Sequence, residues 1–349
     1  MITNPRIRFS VIFTISIILL ILSRSVSFAD ADKVFKENSN AVVVVITYNE
    51  KGKPISQGSG FIVRTDGAVV TNYHVISNAK SIKVKAGNKV LDVEGLIYID
   101  KENDIVILKV KGENLPAVKL GRIETARIRE TVYVISSPKG LENTISDGIL
   151  SGTREITLNK KILQITASIS PGSSGAPVFN KDGEVIGIAT FIIKEAQNLN
   201  FAMSVNLIKD KIDSKKVTAL KDSALEDYKK TADYWFYSGY YLEEAGMHKE
   251  SIEANKQAIR IKPDFAEAHY NLGRAYGNLG RYKEAIESFK QAIRIKPDFA
   301  NAHNNIAFTY LALNDRRSAV EQYEILKDLD PELATELFDF IKILSDIPE

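Results

Sequence analysis

Gln257-Ala258-Ile259-Arg260-Ile261-Lys262-Pro263-Asp264-Phe265-Ala266 returns unaltered at residues 291–300, and prolines stand at 263, 297 and 331, a constant interval of 34 residues. Self-similarity at this period marks an all-α solenoid of stacked helix pairs, each unit burying its apolar face against the next. Upstream of the repeats the period is different. Residues 41–48, 60–63, 68–71, 81–85 and 104–110 are short β-branched runs, with turn signals at Asp66-Gly67, Ala86-Gly87-Asn88 and Lys181-Asp182-Gly183. Short strands at this spacing over residues 33 to about 208 predict a β-barrel or sandwich, and two small barrels fit the length. Residues 206–216 have helical character and close that domain, and the charged stretch at 217–231 reads as a linker.

The whole chain of 349 residues suits about two domains. Its 46 lysines and arginines nearly balance 44 acidic residues, which gives no electrostatic reason to expect nucleic acid. Cysteine is absent, which excludes disulfides, a thiolate nucleophile and a zinc finger. Residues 1–29 stand apart from the fold. Arg6 and Arg8 precede the apolar run 9–22, and Ser27-Phe28-Ala29 places small residues where a signal peptidase reads, predicting cleavage before Asp30. The other reading is an uncleaved anchor, the one way in which the chain would meet a membrane, although the run is short of the roughly 20 residues that span one. Cleavage removes three arginines and no acid, taking the formal net charge from +2 to −1. The mature protein is then exported, periplasmic or extracellular, in a bacterium.

Three strings carry chemistry: Thr71-Asn72-Tyr73-His74-Val75, Asn103-Asp104-Ile105-Val106 and Ser170-Pro171-Gly172-Ser173-Ser174-Gly175. They supply a base, an acid to orient it and a nucleophile on a glycine-rich turn. Serine attacks only when a base takes its proton, and imidazole titrates in the range where it can take that proton and return it to a leaving amine. Asp104 would hold the other ring N–H, with Asp100 a nearby competitor, and Ser173 competes with Ser174 as the nucleophile. The glycine-rich backbone Gly172-Ser173-Ser174 would form the oxyanion hole, chiefly through the N–H groups of Gly172 and Ser174. Each such donor is worth about 3–4 kcal/mol.

The repeat half resembles three tandem tetratricopeptide (TPR) repeats at 232–265, 266–299 and 300–333. In the middle copy Leu272, Gly273, Tyr276, Ala285, Phe289, Ala292 and Pro297 sit where that family places packing residues. Residues 334–345 would be a capping helix within a repeat domain spanning 232–349. TPR arrays leave a concave face, and by repeat position this one would be lined by Phe236, Tyr240, Tyr270, Arg274, Asn304 and Phe308. Aromatics beside an arginine and amides suit an extended peptide or protein tail, although each aromatic has an alternative role in packing between helices. His269 and His303 share one register, so packing explains them better than a metal site, and no metal or other cofactor is implied.

The front half, residues 30–216, resembles a trypsin-like serine protease of the HtrA/Deg type. Besides the three strings, Gly58-Ser59-Gly60-Phe61-Ile62-Val63 resembles that family's early hairpin, and Ser136-Ser137-Pro138-Lys139-Gly140-Leu141 resembles its activation loop. The resemblance implies an all-β, chymotrypsin-like double barrel before the all-α TPR solenoid, and a triad of His74, Asp104 and Ser174. It favours Asp104 over Asp100, because a strand begins directly after Asp104, and Ser174 over Ser173, because the nucleophile precedes the glycine at Gly175. It also places Ile169, Ile193 and Leu199 around the primary specificity pocket, implying a preference for small or medium aliphatic residues; the alternative is that all three are core. Two departures matter. The family's Gly-Asn-Ser-Gly-Gly reads Gly-Ser-Ser-Gly-Ala here, so Ala176 adds a methyl that would restrict the turn behind the nucleophile. The PDZ modules that usually follow are replaced by the repeats.

The leading expectation is therefore an exported serine endopeptidase that cuts unfolded or partner-delivered proteins, its repeats recruiting substrate or a regulator. The alternative is a protease-fold scaffold with weak or no catalysis that acts as a TPR protein-binding module. Relatives often form trimers, so a homo-oligomer is a further expectation.

Overall fold

A computed structural model describes residues 30–137, 143–157, 160–192, 200–223 and 225–345. The expected signal segment 1–29, the Pro138-Lys139-Gly140-Leu141 part of the expected activation loop, and the pocket candidates Ile193 and Leu199 lie outside the described residues. The chain divides into two compact units, one ending at Glu226 and the other beginning at Asp227.

The first unit opens with helix α1, described at residues 30–38, and continues into two β-barrels. Strands β1 (Val42–Tyr48), β2 (Pro54–Arg64), β3 (Ala68–Asn72), β4 (Ser81–Ala86), β5 (Lys89–Asp100) and β6 (Ile105–Val110) make the first, with the short helix α2 (Tyr73–Ile76) after β3. Their order is β5-β4-β1-β2-β3-β6, closed by β5 against β6. The β-branched runs become strands because both their chemistry and their burial suit a pleated surface. Val43, Val45, Phe61, Ile62, Val69, Val70, Ile105 and Ile107 are at most 1% exposed, and each fully buried side chain of this kind stabilises by about 1.5–3 kcal/mol.

The second barrel contains β8 (Thr131–Ser136), β9 (Thr144–Thr157), β10 (Lys160–Ile165), β11 (Pro177–Phe179), β12 (Glu184–Ile192) and β13 (Asn200–Ser204), with the two-residue strand β7 (Lys119–Leu120) running parallel to β12. The order β11-β8-β9-β10-β13-β12 closes by β11 against β12. Closure of both six-strand sheets removes the open edges that would otherwise pair with other chains.

Within the expected linker 217–231, residues 218–219, 225 and 226 bond to the first barrel. Thr218–Ala219 forms β14, antiparallel to β5 opposite Leu96 and Gly95. A Cβ at Gly95 would lie 2.3 Å from the Thr218 carbonyl oxygen, so glycine is what lets this strand approach. Further along, the Leu225 carbonyl accepts the Asn78 N–H at 3.3 Å, and the Glu226 carbonyl accepts the Tyr73 hydroxyl at 3.3 Å. An outer strand of the first barrel thus takes residues that composition alone assigned to a linker.

The second unit is built from α3 (Ala232–Glu244), α4 (His248–Ile261), α5 (Ala266–Asn278), α6 (Tyr282–Ile295), α7 (Ala300–Ala312), α8 (Arg316–Leu329) and α9 (Pro331–Ser345). The first helices of the pairs start at 232, 266 and 300 and the second at 248, 282 and 316, so the 34-residue period of the sequence is also that of the backbone. Between paired helices Gly246, Gly280 and Asn314 have φ of 74°, 72° and 64°, the left-handed turn for which Gly and Asn are suited. Close packing is set at Gly273, where a Cβ would come within 2.6 Å of the Phe289 ring. The capping helix starts at Pro331 rather than at Ala334, because the fixed φ of proline suits the first helical position; Ala334 and Leu337 seal the last apolar face.

Candidate active site

β3 delivers Asn72 directly into α2, so His74 lies on the first turn beyond the barrel edge. Asp104 sits in the β5–β6 connection with φ of +55°, a left-handed conformation open to Asp and Asn. That bend is held from both sides. The Asp104 carbonyl accepts the Tyr73 N–H at 3.1 Å and the Asn72 side-chain amide at 2.8 Å. The carboxylate then grips His74 twice: Oδ1 accepts its main-chain N–H at 2.8 Å, and Oδ2 meets ring Nδ1 at 2.6 Å. A third donor, Thr190 Oγ1, reaches Oδ2 at 2.9 Å from β12. With a carboxylate against Nδ1, the neutral ring carries its proton there and Nε2 is the basic nitrogen. The competitor Asp100 is occupied within its own turn, accepting the Asn103 N–H at 2.9 Å and the Tyr98 hydroxyl at 3.1 Å. Burial, reinforced by Asp100, pushes that hydroxyl up to about 12, which keeps it a neutral donor.

Ser174 stands in the turn 170–175. Gly172 has φ of +105° and Gly175 of +86°. At Gly175 no other residue fits, since a Cβ would lie 2.2 Å from the Ser59 carbonyl oxygen and 2.4 Å from Thr71 Oγ1. The Ser174 hydroxyl donates to the Thr190 carbonyl oxygen at 3.2 Å. Thr190 therefore joins the three candidates: its hydroxyl holds Asp104 and its carbonyl holds Ser174. Ser173, the competing nucleophile, is 1% exposed and its hydroxyl donates to Ser136 Oγ at 3.0 Å. Its main-chain N–H is spent on the Ser170 carbonyl at 2.9 Å, so Ser173 drops out of the expected oxyanion set. Among the described residues no hydrogen bond takes the N–H of Gly172 or Ser174, and these two remain the candidate donors.

Ala176 differs from the sequence expectation. It lies outside the left-handed region, is fully buried and packs in the core of the second barrel, so its methyl fills space without straining the turn. Gly175 N–H and the Ala176 carbonyl bond Ala189 at 2.8 Å each, continuing the ladder toward Thr190. Ile169, the one pocket candidate among the described residues, packs against that same core while half-buried.

The six expected groove residues separate. Phe236 and Tyr240 are 3% and 5% exposed and pack on Phe265 and Tyr241, with centroids 4.8 and 5.7 Å apart, so they are packing residues and not an open surface. Tyr270 packs at a tilt on Phe299, with centroids 4.9 Å apart, and accepts from Asn305 at 3.0 Å, while burial raises its pKa. Arg274 pairs with Glu244 at 2.9 Å. Arg274 and Phe308 do line one cavity of about 340 Å³, with Asn278, Asn305 and Thr309. Asn304 is not in that lining; its neighbour Asn305 is. His269 and His303 each place Nε2 3.0 Å from the carbonyl of the preceding repeat proline, Pro263 or Pro297. This gives both a structural use.

Sequence reasoning missed Thr190 and the hydroxyls of Ser59 and Ser136, which reach the site from other strands. It also missed Asn278, Asn305 and Thr309; Asn278 and Asn305 lie one helical turn from Arg274 and Phe308, where the 3.6-residue period would have found them, while Thr309 adjoins Phe308 in the chain.

Comparison with known proteins follows the same division. Residues 58–188 match the trypsin-like peptidase domain, residues 266–299 the tetratricopeptide repeat, and residues 240–280 a TPR repeat. A "Probable periplasmic serine endoprotease DegP-like" of Pseudomonas putida (strain W619) is 37% identical over 161 residues, 44% of this chain and 34% of that protein. "Serine protease HTRA1" of Xenopus laevis is 36% identical over 173 residues, 47% of this chain and 37% of that one. The chain thus spans about a third of the length of these curated relatives. A solved structure of the serine endoprotease from Yersinia pestis aligns with 32% identity and a TM-score of 0.47, over 52% of this chain and 64% of that chain. The chain carries a trypsin-like peptidase domain with HtrA/DegP homologues, followed by TPR repeats.

Proposed function

We propose that this protein is an exported serine endopeptidase acting through His74, Asp104 and Ser174 on unfolded or partner-delivered proteins. The observation that carries the reading is the two-point grip of Asp104 on His74, with Ser174 joined to the same carboxylate through Thr190. In the reaction the Ser174 hydroxyl rotates from the Thr190 carbonyl toward His74 Nε2, gives up its proton and attacks the scissile carbonyl. Asp104 stabilises the imidazolium that forms. The N–H groups of Gly172 and Ser174 receive the oxyanion, His74 protonates the leaving amine, and water hydrolyses the acyl-enzyme by the same steps in reverse order of roles. Ile169, with Ile193 and Leu199, favours small or medium aliphatic residues before the cleaved bond.

The TPR unit recruits substrate or a regulator through the cavity beside Arg274 and Phe308. Export rests on the segment 1–29 and on the periplasmic relatives. Among the described residues no helix is long and apolar enough to cross a membrane. The scaffold reading drew on Ala176 and on the repeat array; the unstrained, buried position of Ala176 weakens the first motive and leaves the second in place. The mature protein incubated with a fluorophosphonate becomes labelled, and Ser174→Ala abolishes the label. Folded wild-type protein that stays unlabelled, with and without partners, refutes the reading.

A further inference from the structure

Three serines from three separate segments converge on the back of the nucleophile turn. Ser59, on β2 of the first barrel, has no exposed surface, and Ser136, at the end of β8, is 6% exposed. The Ser59 hydroxyl donates to the Gly172 carbonyl at 2.7 Å and accepts the Ser137 N–H at 3.0 Å. Its main-chain N–H donates to the Ser174 carbonyl at 2.8 Å, and its carbonyl accepts Thr71 Oγ1 at 2.6 Å. The Ser173 hydroxyl accepts the Ser170 N–H at 3.3 Å and donates to Ser136 Oγ at 3.0 Å. The peptide between Gly172 and Ser173 is thereby fixed at both ends, its oxygen on Ser59 and its N–H on the Ser170 carbonyl. That peptide lies between the two candidate oxyanion donors. Rotating it turns the N–H of Gly172 on one side and the N–H of Ser174 on the other.

We propose that Ser59, Ser136 and Ser173 form a hydroxyl brace that positions the Gly172 and Ser174 N–H groups for the oxyanion, an inference that rests on the proteolytic reading. Ser173 stands where the related pattern has the longer asparagine. Its short side chain reaches β8 because Ser136 supplies the other hydroxyl of the pair. The brace touches neither the substrate nor the reacting atoms, so all three are positioning residues. Their contribution is electrostatic at one remove, because donors aimed in advance cost no reorganisation when charge develops.

Labelling kinetics with a fluorophosphonate separate the possibilities without knowledge of the substrate. Ser174 Oγ attacks phosphorus, the P–O bond forms as the P–F bond breaks, fluoride leaves, and the serine proton passes to His74. Negative charge builds meanwhile on the phosphoryl oxygen against the two N–H groups. Ser136→Ala labels to the wild-type amplitude but about five- to tenfold more slowly, the loss of one hydrogen bond's worth of orientation. Ser136→Ala with Ser173→Ala is no slower than Ser173→Ala alone, since the pair acts as one unit. Ser59→Ala, measured the same way, gives a second route to the result if Ser136→Ala does not fold. Full amplitude at the wild-type rate overturns the brace and leaves the proteolytic reading standing. Reduced amplitude at an unchanged rate assigns the hydroxyls to folding and likewise overturns it. Folded wild-type protein that takes no label overturns both.

Discussion

Replacing Asp104 by Asn keeps the shape of the site and removes its charge. The backbone tolerates the change, because φ of +55° at this position is as accessible to Asn as to Asp. The amide oxygen can take the place of Oδ1 and accept the His74 N–H across the 2.8 Å now spanned. The NH2 group then stands where Oδ2 meets Nδ1 at 2.6 Å and Thr190 Oγ1 at 2.9 Å, two sites that hold donors. An NH2 group cannot accept from Nδ1–H, so the imidazole moves its proton to Nε2 and loses the basic nitrogen that would take the serine proton. The wrong tautomer in such a triad costs about 10⁴ in turnover, or about 5 kcal/mol of barrier. The fold loses less, about 1–3 kcal/mol for hydrogen bonds to a charge that is no longer there. The assay is paired: the second-order rate of fluorophosphonate labelling and the urea midpoint of the same sample. Asp100→Asn serves as the control and labels within about twofold of wild type, because Asp100 serves Asn103 and Tyr98. Asp104→Asn protein that is folded and labels within about tenfold of wild type refutes the assignment of Asp104 as the residue that orients His74.

Ala176→Gly removes a buried methyl from the second-barrel core, so the urea midpoint falls by the equivalent of about 1 kcal/mol while the labelling rate holds; a faster-labelling variant would show that the methyl strains the turn. Tyr98 is raised from 10.0 to about 12, so the native state keeps a proton that the unfolded chain releases across that window, and stability falls as pH rises through it. Tyr98→Phe flattens that alkaline fall in urea midpoint, and identical slopes in the two proteins would contradict the shift. Gly273→Ala drives a methyl to within 2.6 Å of the Phe289 ring and costs about 1–3 kcal/mol by overpacking. Hydrogen exchange should report that loss in α5 and α6, with labelling at Ser174 unchanged; a slowed label would show that repeat packing reaches the nucleophile.

How far sequence reading reached depended on whether a feature was written into neighbouring residues. The repeat period was fully legible because each helix pair solves the same packing problem with the same local residues, and helix starts at 232, 266 and 300 follow it without slippage. Barrel strands were legible where β-branched residues crowd, yet β2 runs from Pro54, well before the apolar run that begins at Gly60, because its first half is held by cross-strand pairing and not by burial. β14 was illegible for the same reason. Nothing in Thr218-Ala219 marks a strand; the stretch of β5 beyond residue 92, which β4 does not pair, and the missing side chain of Gly95 make it one. Phe236 and Tyr240 were assigned to a groove by repeat position, which locates a side chain on a helix but not the neighbours that cover it.

The triad candidates illustrate the same division at atomic scale. His74, Asp104 and Ser174 could be named because each lies in a short local string, 71–75, 103–106 and 170–175, and the resemblance to a protease family chose them over Asp100 and Ser173. The hydroxyls that hold them could not, since Thr190, Ser59 and Ser136 are ordinary strand residues whose partners lie 86, 113 and 37 positions away. Serine and threonine carry no signature of such use, because one hydroxyl serves equally at a surface, in a turn or between two barrels. What makes these three consequential is that burial has removed water as an alternative partner, so each hydroxyl must satisfy, and thereby orient, the group it meets. In this fold, the candidate reacting groups therefore lie in local strings, and their alignment is set by long-range burial. Substitutions at the silent hydroxyls should accordingly alter rates while leaving every recognisable motif intact.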